Sequence, residues 1–299
     1  MAQGAVNIPE KDSNYSKFLG YVKLTKVRLS ALVVFSALIT YLTIAAPFNW
    51  HTLLVLAIGG FLVTGSANGF NQIIERDLDK KMNRTMNRPL PLNIISSTPA
   101  LIFCIIIGII GTFLLGYFIN PLSGLIGFLS ILLYTLFYTP LKRKTPLSVF
   151  VGAFPGALPT LIGGIAATEG FGSVSFFTIL LFIIQFVWQF PHFWSLAWFN
   201  SEDYAKADFF LLPSAGGKDD STKFQILLYS VVLLIVSIFP FVFGFTGIIS
   251  ACVCVLAGLA LVLQAYNFYR IGSDVLAKKL FFITLIYLPV IQIALMTKQ

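Results

Sequence analysis

The chain has 299 residues, 57% of them hydrophobic and only 11% charged, with thirty Phe and a formal net charge of +8; its mean hydropathy is +0.87. That composition excludes a soluble globular domain and points to an all-α integral membrane protein. Backbone amides in hydrocarbon must pair within their own segment, so apolar runs this long can only be helices, whereas barrel strands would be shorter and would alternate.

Nine transmembrane helices are expected, near Ser30 to Pro47, Leu53 to Ile74, Pro99 to Phe118, Leu122 to Tyr138, Leu147 to Ala167, Phe176 to Trp198, Phe224 to Gly244, Ile248 to Tyr269 and Leu280 to Met296. Each is long enough for a hydrocarbon core that needs about 17 to 25 residues. Residues 1–27 read as a cytoplasmic tail and residues 28–297 as a single transmembrane domain. Within the tail Phe18, Leu19 and Val22, beside Lys17 and Lys23, fit a short interfacial helix. The tail carries Glu10 and Asp12 and no Arg before Arg28, unlike a mitochondrial presequence, and no cleavable signal is expected before span one. Pro121 between spans three and four, and Gly247 between seven and eight, leave room only for tight hairpins.

The cations fix an orientation, since loops rich in Lys and Arg stay cytoplasmic. They precede span one and follow spans two, four, six and eight; only Lys298 falls on the other side. The N-terminus is therefore expected inside, the C-terminus outside, and every long loop in the cytoplasm. This topology accounts for the positive charge without nucleic-acid binding.

The densest charge cluster follows span two, where three carboxylates and five cations lie between Asn71 and Pro89. On a helix Asn71, Glu75 and Asp79 share one face, with Thr64 and Asn68 extending the stripe into the membrane and Asp77 opposite. Polar groups inside a span are costly and face a cavity or a partner. Carboxylates and an amide oxygen are hard ligands suited to Mg²⁺ (or Mn²⁺), which takes one or two carboxylates and leaves positions for phosphate oxygens. Arg84 and Arg88, four residues apart, could neutralise that phosphate, because guanidinium matches its geometry.

Span five is crowded with Gly152, Pro155, Gly156, Pro159, Gly163 and Gly164, which fits close helix packing around a wide cavity. Span six places Gln185, Gln189 and His192 on one face, among Trp188, Phe193, Trp194 and Trp198, followed by Glu202, Asp203 and Asp208. Cys104, Cys252 and Cys254 lie inside spans and support neither a metal site nor a disulfide framework.

The run Asn71-x-x-x-Glu75-Arg-Asp-x-Asp79-x-x-Met82-x-Arg84-Thr85-x-x-Arg88-Pro89-Leu90 resembles the first acidic motif of the UbiA-type intramembrane prenyltransferases. Its Met-x-Arg-Thr-x-x-Arg-Pro ending resembles the protoheme IX farnesyltransferase, or heme O synthase, branch. Glu75 stands where that motif usually has Asp, one methylene shorter. The segment Trp188-Gln-Phe-Pro-His192-Phe-Trp194, with Asp203-Tyr204 after it, resembles the second motif of that branch. Asp203 is then the candidate for a further metal position, and His192 with Gln189 the candidate heme contacts. Tyr138-Thr-Pro-Leu-Lys142-Arg143-Lys-Thr145 resembles the loop that supplies cations to the prenyl diphosphate. Lys26 and Arg28 resemble the family's Lys-Pro-Arg, with Val27 in place of Pro.

The resemblance covers about Leu24 to Leu295. It implies transfer of a farnesyl group from farnesyl diphosphate to a vinyl group of heme B, with addition of water, giving heme O and diphosphate. Asn71, Glu75 and Asp79 would hold Mg²⁺, while Lys26, Arg84, Arg88, Lys142 and Arg143 would hold the diphosphate. The implied setting is a bacterial inner membrane, in contact with lipid, with the site on the cytoplasmic side and a heme A synthase or terminal oxidase assembly as partner. Rival readings are a quinone-precursor or chlorin acceptor in the same superfamily, and a small-solute transporter, which would place ionisable groups near the midplane.

Overall fold

The computed structural model describes residues 10–297; residues 1–9 of the expected tail, and Lys298, the expected outward cation, lie outside them. Among the described residues there are nine helices long and apolar enough to cross a membrane. The first membrane-capable stretch, Lys17–Ile44, takes in the end of α1 (Glu10–Leu24) and all of α2 (Val27–Ile44), and is followed by α3 (Trp50–Ile74), the single turn α4 (Arg76–Asp79), and α5 (Ser97–Phe118). Then come α6 (Pro121–Leu132), a π-helical turn (Leu133–Tyr138) and α7 (Thr139–Leu141), which together make one span. The remainder are α8 (Ser148–Ile165), α9 (Phe176–Phe199), the short α10 (Ser201–Ala205), α11 (Asp220–Val242), α12 (Ile248–Ile271) and α13 (Asp274–Ala294).

Several helices start earlier than hydropathy indicates, because polar caps extend them into the aqueous boundary. Asp219 accepts from the Thr222 amide at 2.8 Å and opens α11, Ser273 opens α13 through Leu276, and Asn49 receives the His51 amide at 2.8 Å to open α3. The connection between α5 and α6 is as tight as expected, whereas residues 243–247 form a longer link between α11 and α12. Asn120 closes the turn between α5 and α6 by accepting from Ser123 at 2.9 Å, while its amide group donates to Ile165 at 2.9 Å, tying that hairpin to the end of α8.

Packing follows side-chain size. The window of α8 is 67% buried against 28% for α5 and for α11, so α8 is central and the other two face lipid. The small residues of α8 allow this. Gly163 lies against the backbone carbonyl of Ala37 in α2, where a Cβ would collide. Helices α2, α3, α6, α8, α9 and α13 surround a cavity of about 440 Å³ that Gly152, Pro155, Gly156 and Pro159 help to line.

The π-helical turn has a local cause. Pro140 cannot donate to the helical ladder, and the Thr139 hydroxyl instead donates to the Tyr134 carbonyl at 2.9 Å, five residues back. The wider turn brings Tyr134 and Tyr138 together, ring centroids 5.1 Å apart, at the cavity wall.

Gly163→Ala gains about 1 kcal/mol of intrinsic helix propensity, but the added methyl meets backbone, and overpacking costs about 1 to 3 kcal/mol. The variant is expected to be the less stable, read as a lower thermal midpoint in detergent.

Candidate active site

The first acidic stripe stays on one face although its helix is interrupted. Helix α3 ends at Ile74 and Glu75 has a φ of −90° and a ψ of 6°. Four-residue hydrogen bonds nonetheless cross the break, from the Glu75 amide to Asn71 at 3.0 Å and from the Asp79 amide to Glu75 at 2.7 Å. Asn71, Glu75 and Asp79 therefore all line the cavity, and all three are buried. Asp77 points away and pairs with Lys80 at the surface.

Each buried acid has a cation. Glu75 pairs with Lys142, which arrives from beyond α7, and Asp79 pairs with Arg88 at 2.7 Å. The Lys142 ammonium also lies 4.9 Å from the Tyr138 ring centre and 5.2 Å from that of Phe209. Burial pushes the Asp79 carboxyl above its ordinary range, against the pull of Arg88. Its Oδ1 is buried without a hydrogen-bond partner. Lys26 has a left-handed φ of 47° at the break between α1 and α2, and its ammonium approaches Asn71 Oδ1 at 3.4 Å. The Asn71 amide donates to Thr139 at 3.3 Å. The charged groups on the cavity wall are thus four cations, Lys26, Arg84, Arg88 and Lys142, and two carboxylates, Glu75 and Asp79. That excess of positive charge suits a polyanionic ligand, and the orphaned Asp79 oxygen beside Glu75 and Asn71 fits one hard divalent cation. No cluster of three or more acid, His or Cys side chains gathers among the described residues.

Two expected residues serve elsewhere. Asp203 turns both carboxylate oxygens onto backbone, accepting from the Asn83 amide at 2.8 Å and the Arg84 amide at 3.1 Å, and it also receives Lys206 at 3.1 Å. Partial burial pushes its carboxyl up, but these amides and Lys206 outweigh burial and hold it below the ordinary range. In this structure Asp203 clasps α10 to the loop after α4, where sequence spacing pointed to a metal position. Tyr204 completes the clasp: its hydroxyl accepts from Arg84 at 3.0 Å and its ring lies 5.1 Å under that guanidinium. Arg143, expected at the diphosphate, is half-exposed and lies 3.8 Å from Asp208, off the cavity wall. Neighbouring positions in a helical turn point apart, so Lys142 and Arg143 cannot both face inward.

Deeper in the cavity α9 presents its amides and imidazole. Gln189 donates to the Ala153 carbonyl at 2.8 Å, in space left by the missing side chain of Gly156. Gln185 donates to Gly156 at 2.9 Å and accepts from Gln292 of α13 at 3.0 Å. His192 lines the cavity, with Nδ1 2.8 Å from the Thr284 hydroxyl and its ring stacked on Trp188 at 4.4 Å and Phe281 at 4.7 Å. Sequence reasoning missed Thr284, Phe281 and Gln292, although Thr284 and Gln292 are isolated polar residues in the last apolar span.

Residues 32–286 match the UbiA prenyltransferase family. The chain belongs to that family. It is 46% identical over 286 residues to the protoheme IX farnesyltransferase of Flavobacterium psychrophilum, a match that covers 93% of either chain. The protein of the same name from Flavobacterium johnsoniae is 44% identical over 286 residues, again 93% of each. Among solved structures, a digeranylgeranylglyceryl phosphate synthase shares the fold with a TM-score of 0.77 at 20% identity, covering 94% of this chain and 97% of that one. A UbiA homolog from Aeropyrum pernix K1 gives a TM-score of 0.71 at 16% identity, covering 90% and 97%. A UbiA homolog from Archaeoglobus fulgidus bound to DMAPP and Mg²⁺ gives 0.69 at 14% identity, covering 92% and 98%. As a UbiA family member this chain is a prenyltransferase and a multi-pass membrane protein.

In Lys142→Met the Glu75 carboxylate is left buried without its cation, which costs about 3 to 5 kcal/mol. The double variant Lys142→Met with Glu75→Gln removes both charges and is expected to recover most of that loss. Thermal unfolding of the three proteins in detergent measures the difference.

Proposed function

We propose that this chain transfers the farnesyl group of farnesyl diphosphate to a vinyl carbon of heme B, with a hydroxyl from water completing the addition, to give heme O and diphosphate. The observation that carries this reading is the continuity of one cavity from a cationic, carboxylate-bearing mouth to the imidazole of His192. A polyanionic leaving group suits one end and a porphyrin the other. The names of the Flavobacterium relatives support the same donor and acceptor.

The roles follow from charge and position. Lys26, Arg84, Arg88 and Lys142 hold the diphosphate and accept its growing negative charge as the allylic C–O bond lengthens. Preorganised cations acting where charge develops are worth several kcal/mol, on the order of 3, in a dry site. Asn71, Glu75 and Asp79 would hold a divalent cation, Mg²⁺ in keeping with the Archaeoglobus homolog, whose part is to neutralise the leaving diphosphate. Engaging the ligands requires an exchange of partners, with Lys142 and Arg88 turning from the carboxylates to phosphate oxygens. Tyr134, Tyr138 and Trp188 line the space beyond, where aromatic faces stabilise an allylic cation by about 0.5 to 2 kcal/mol each and apolar walls exclude water. The vinyl carbon attacks that cation, and the resulting benzylic-type cation on the porphyrin takes hydroxide from water, whose proton leaves to solvent or diphosphate.

The proposed setting is a bacterial inner membrane with the mouth of the cavity on the cytoplasmic side, the N-terminus inside and the C-terminus outside, a reading that the clustering of Lys and Arg supports. Heme O is then available to a heme A synthase or a terminal oxidase assembly. Ionisable groups gathered at one end of the cavity favour an enzyme over a transporter.

Membranes containing the protein, given heme B, farnesyl diphosphate and Mg²⁺, are expected to form a heme whose mass has gained one farnesyl and one hydroxyl. EDTA or Glu75→Gln should abolish it; well-folded protein that makes no such product would overturn the reading. Asp203→Asn loosens the clasp that aims Arg84, so KM for farnesyl diphosphate should rise while the Mg²⁺ concentration for half-maximal activity stays the same. A shifted Mg²⁺ requirement would return Asp203 to the metal.

A further inference from the structure

Helices α9 and α13 meet at a single residue of the last span. Thr284 receives two rings from consecutive turns of α9: its backbone carbonyl accepts the Trp188 indole N–H at 2.7 Å, and its hydroxyl oxygen lies 2.8 Å from His192 Nδ1. A third bond fixes the direction of the second. The hydroxyl hydrogen of Thr284 is committed to the Phe281 carbonyl at 2.6 Å. A hydroxyl has one hydrogen and two lone pairs, so its oxygen can only accept from the imidazole. The proton of neutral His192 is therefore on Nδ1, and the lone pair is on Nε2.

Rotation of the ring is restrained as well. The imidazole lies within 20° of parallel to Trp188 and 26° to Phe281, with centroids 4.4 and 4.7 Å away. With Nδ1 turned to α13 and the faces covered, the Nε2 edge is what His192 offers to the cavity it lines.

We infer that Thr284 is a positioning residue that holds His192 in its Nδ1–H tautomer and so presents the Nε2 lone pair to the iron of the porphyrin acceptor. The inference rests on the heme reading above. A histidine that ligates a metal through one nitrogen is oriented by the bond its other N–H makes, and removing that partner typically weakens metal binding by about 10- to 100-fold. Thr284 lies far along the chain from either acidic motif and contributes nothing to the diphosphate end of the cavity.

The test is ferric heme B alone, added to purified protein in detergent without prenyl donor or Mg²⁺ and followed by absorption and electron paramagnetic resonance. The wild type and Thr284→Ser, which keeps the hydroxyl, are expected to give one and the same histidine-ligated spectrum. Thr284→Val keeps the shape, and the carbonyl that holds Trp188, but lacks the acceptor. It should bind heme about 10- to 100-fold more weakly, with the histidine signature diminished; Thr284→Ala gives the same readout if the valine variant does not fold. His192→Ala should lose the signature altogether. If Thr284→Val and Thr284→Ala match the wild type while His192→Ala does not, the positioning role is overturned and the heme reading stands. If the wild type binds no heme, or its spectrum is indifferent to His192→Ala, iron ligation by His192 falls and this inference with it.

Discussion

A carboxylate withdrawn from water into a membrane protein must be paired or neutralised, and the rest of the site depends on how Glu75 and Asp79 meet that demand. Neither finds its cation on its own helix. Lys142 reaches Glu75 from the far end of the α6–α7 span, and Arg88 reaches Asp79 from the loop that follows α4. The backbone of the same residue does more: the Lys142 carbonyl accepts the Phe210 amide at 2.7 Å, which fastens the loop after α10 over the cavity mouth. Asp203 fastens that region a second time, to the amides of Asn83 and Arg84. Three loops are therefore closed on one another through two ion pairs and a few backbone bonds. A ligand that competes for those ion pairs acts on the whole mouth.

Farther into the bilayer the same demand is met without charge. Gln185, Gln189 and Gln292 satisfy one another, Ser36 of α2 and carbonyls of the Pro- and Gly-rich α8, with Ser36 donating to Gln292 at 3.3 Å. Amides can line a cavity at this depth because every donor has a nearby carbonyl, which an apolar helix of ordinary width would not expose so closely. The prolines that bend α8 and the glycines that thin it are in this sense part of the cavity wall.

The fold was legible because bilayer thickness leaves few choices: nine apolar runs of sufficient length correspond to nine membrane-capable helices among the described residues, with the differences at their ends, where Asp219, Ser273 and Asn49 extend three of them and the first begins at Lys17. The stripe of Asn71, Glu75 and Asp79 was legible because helical periodicity survives the kink at Glu75. Spacing does not show that the Asp203 carboxylate on α10 bonds the amides of Asn83 and Arg84, or that Arg143 turns from the cavity while Lys142 faces it; neither contact is visible without the partner loop. Thr284 and Phe281 could not have been assigned from sequence. They act on His192 across about ninety positions of chain, and a threonine in a span usually satisfies itself on its own helix, as Thr284 also does through Phe281.

The stack at the centre of the cavity has an optical consequence. The indole of Trp188 lies against the imidazole of His192, the proposed heme contact, and Trp194 and Trp198 follow on the same helix, so three of the four tryptophans of the chain sit on α9. A porphyrin entering beside them overlaps their emission with its own absorption. Arrival of the acceptor and departure of its more lipophilic product would then be written into the intrinsic fluorescence, with no label added to the protein.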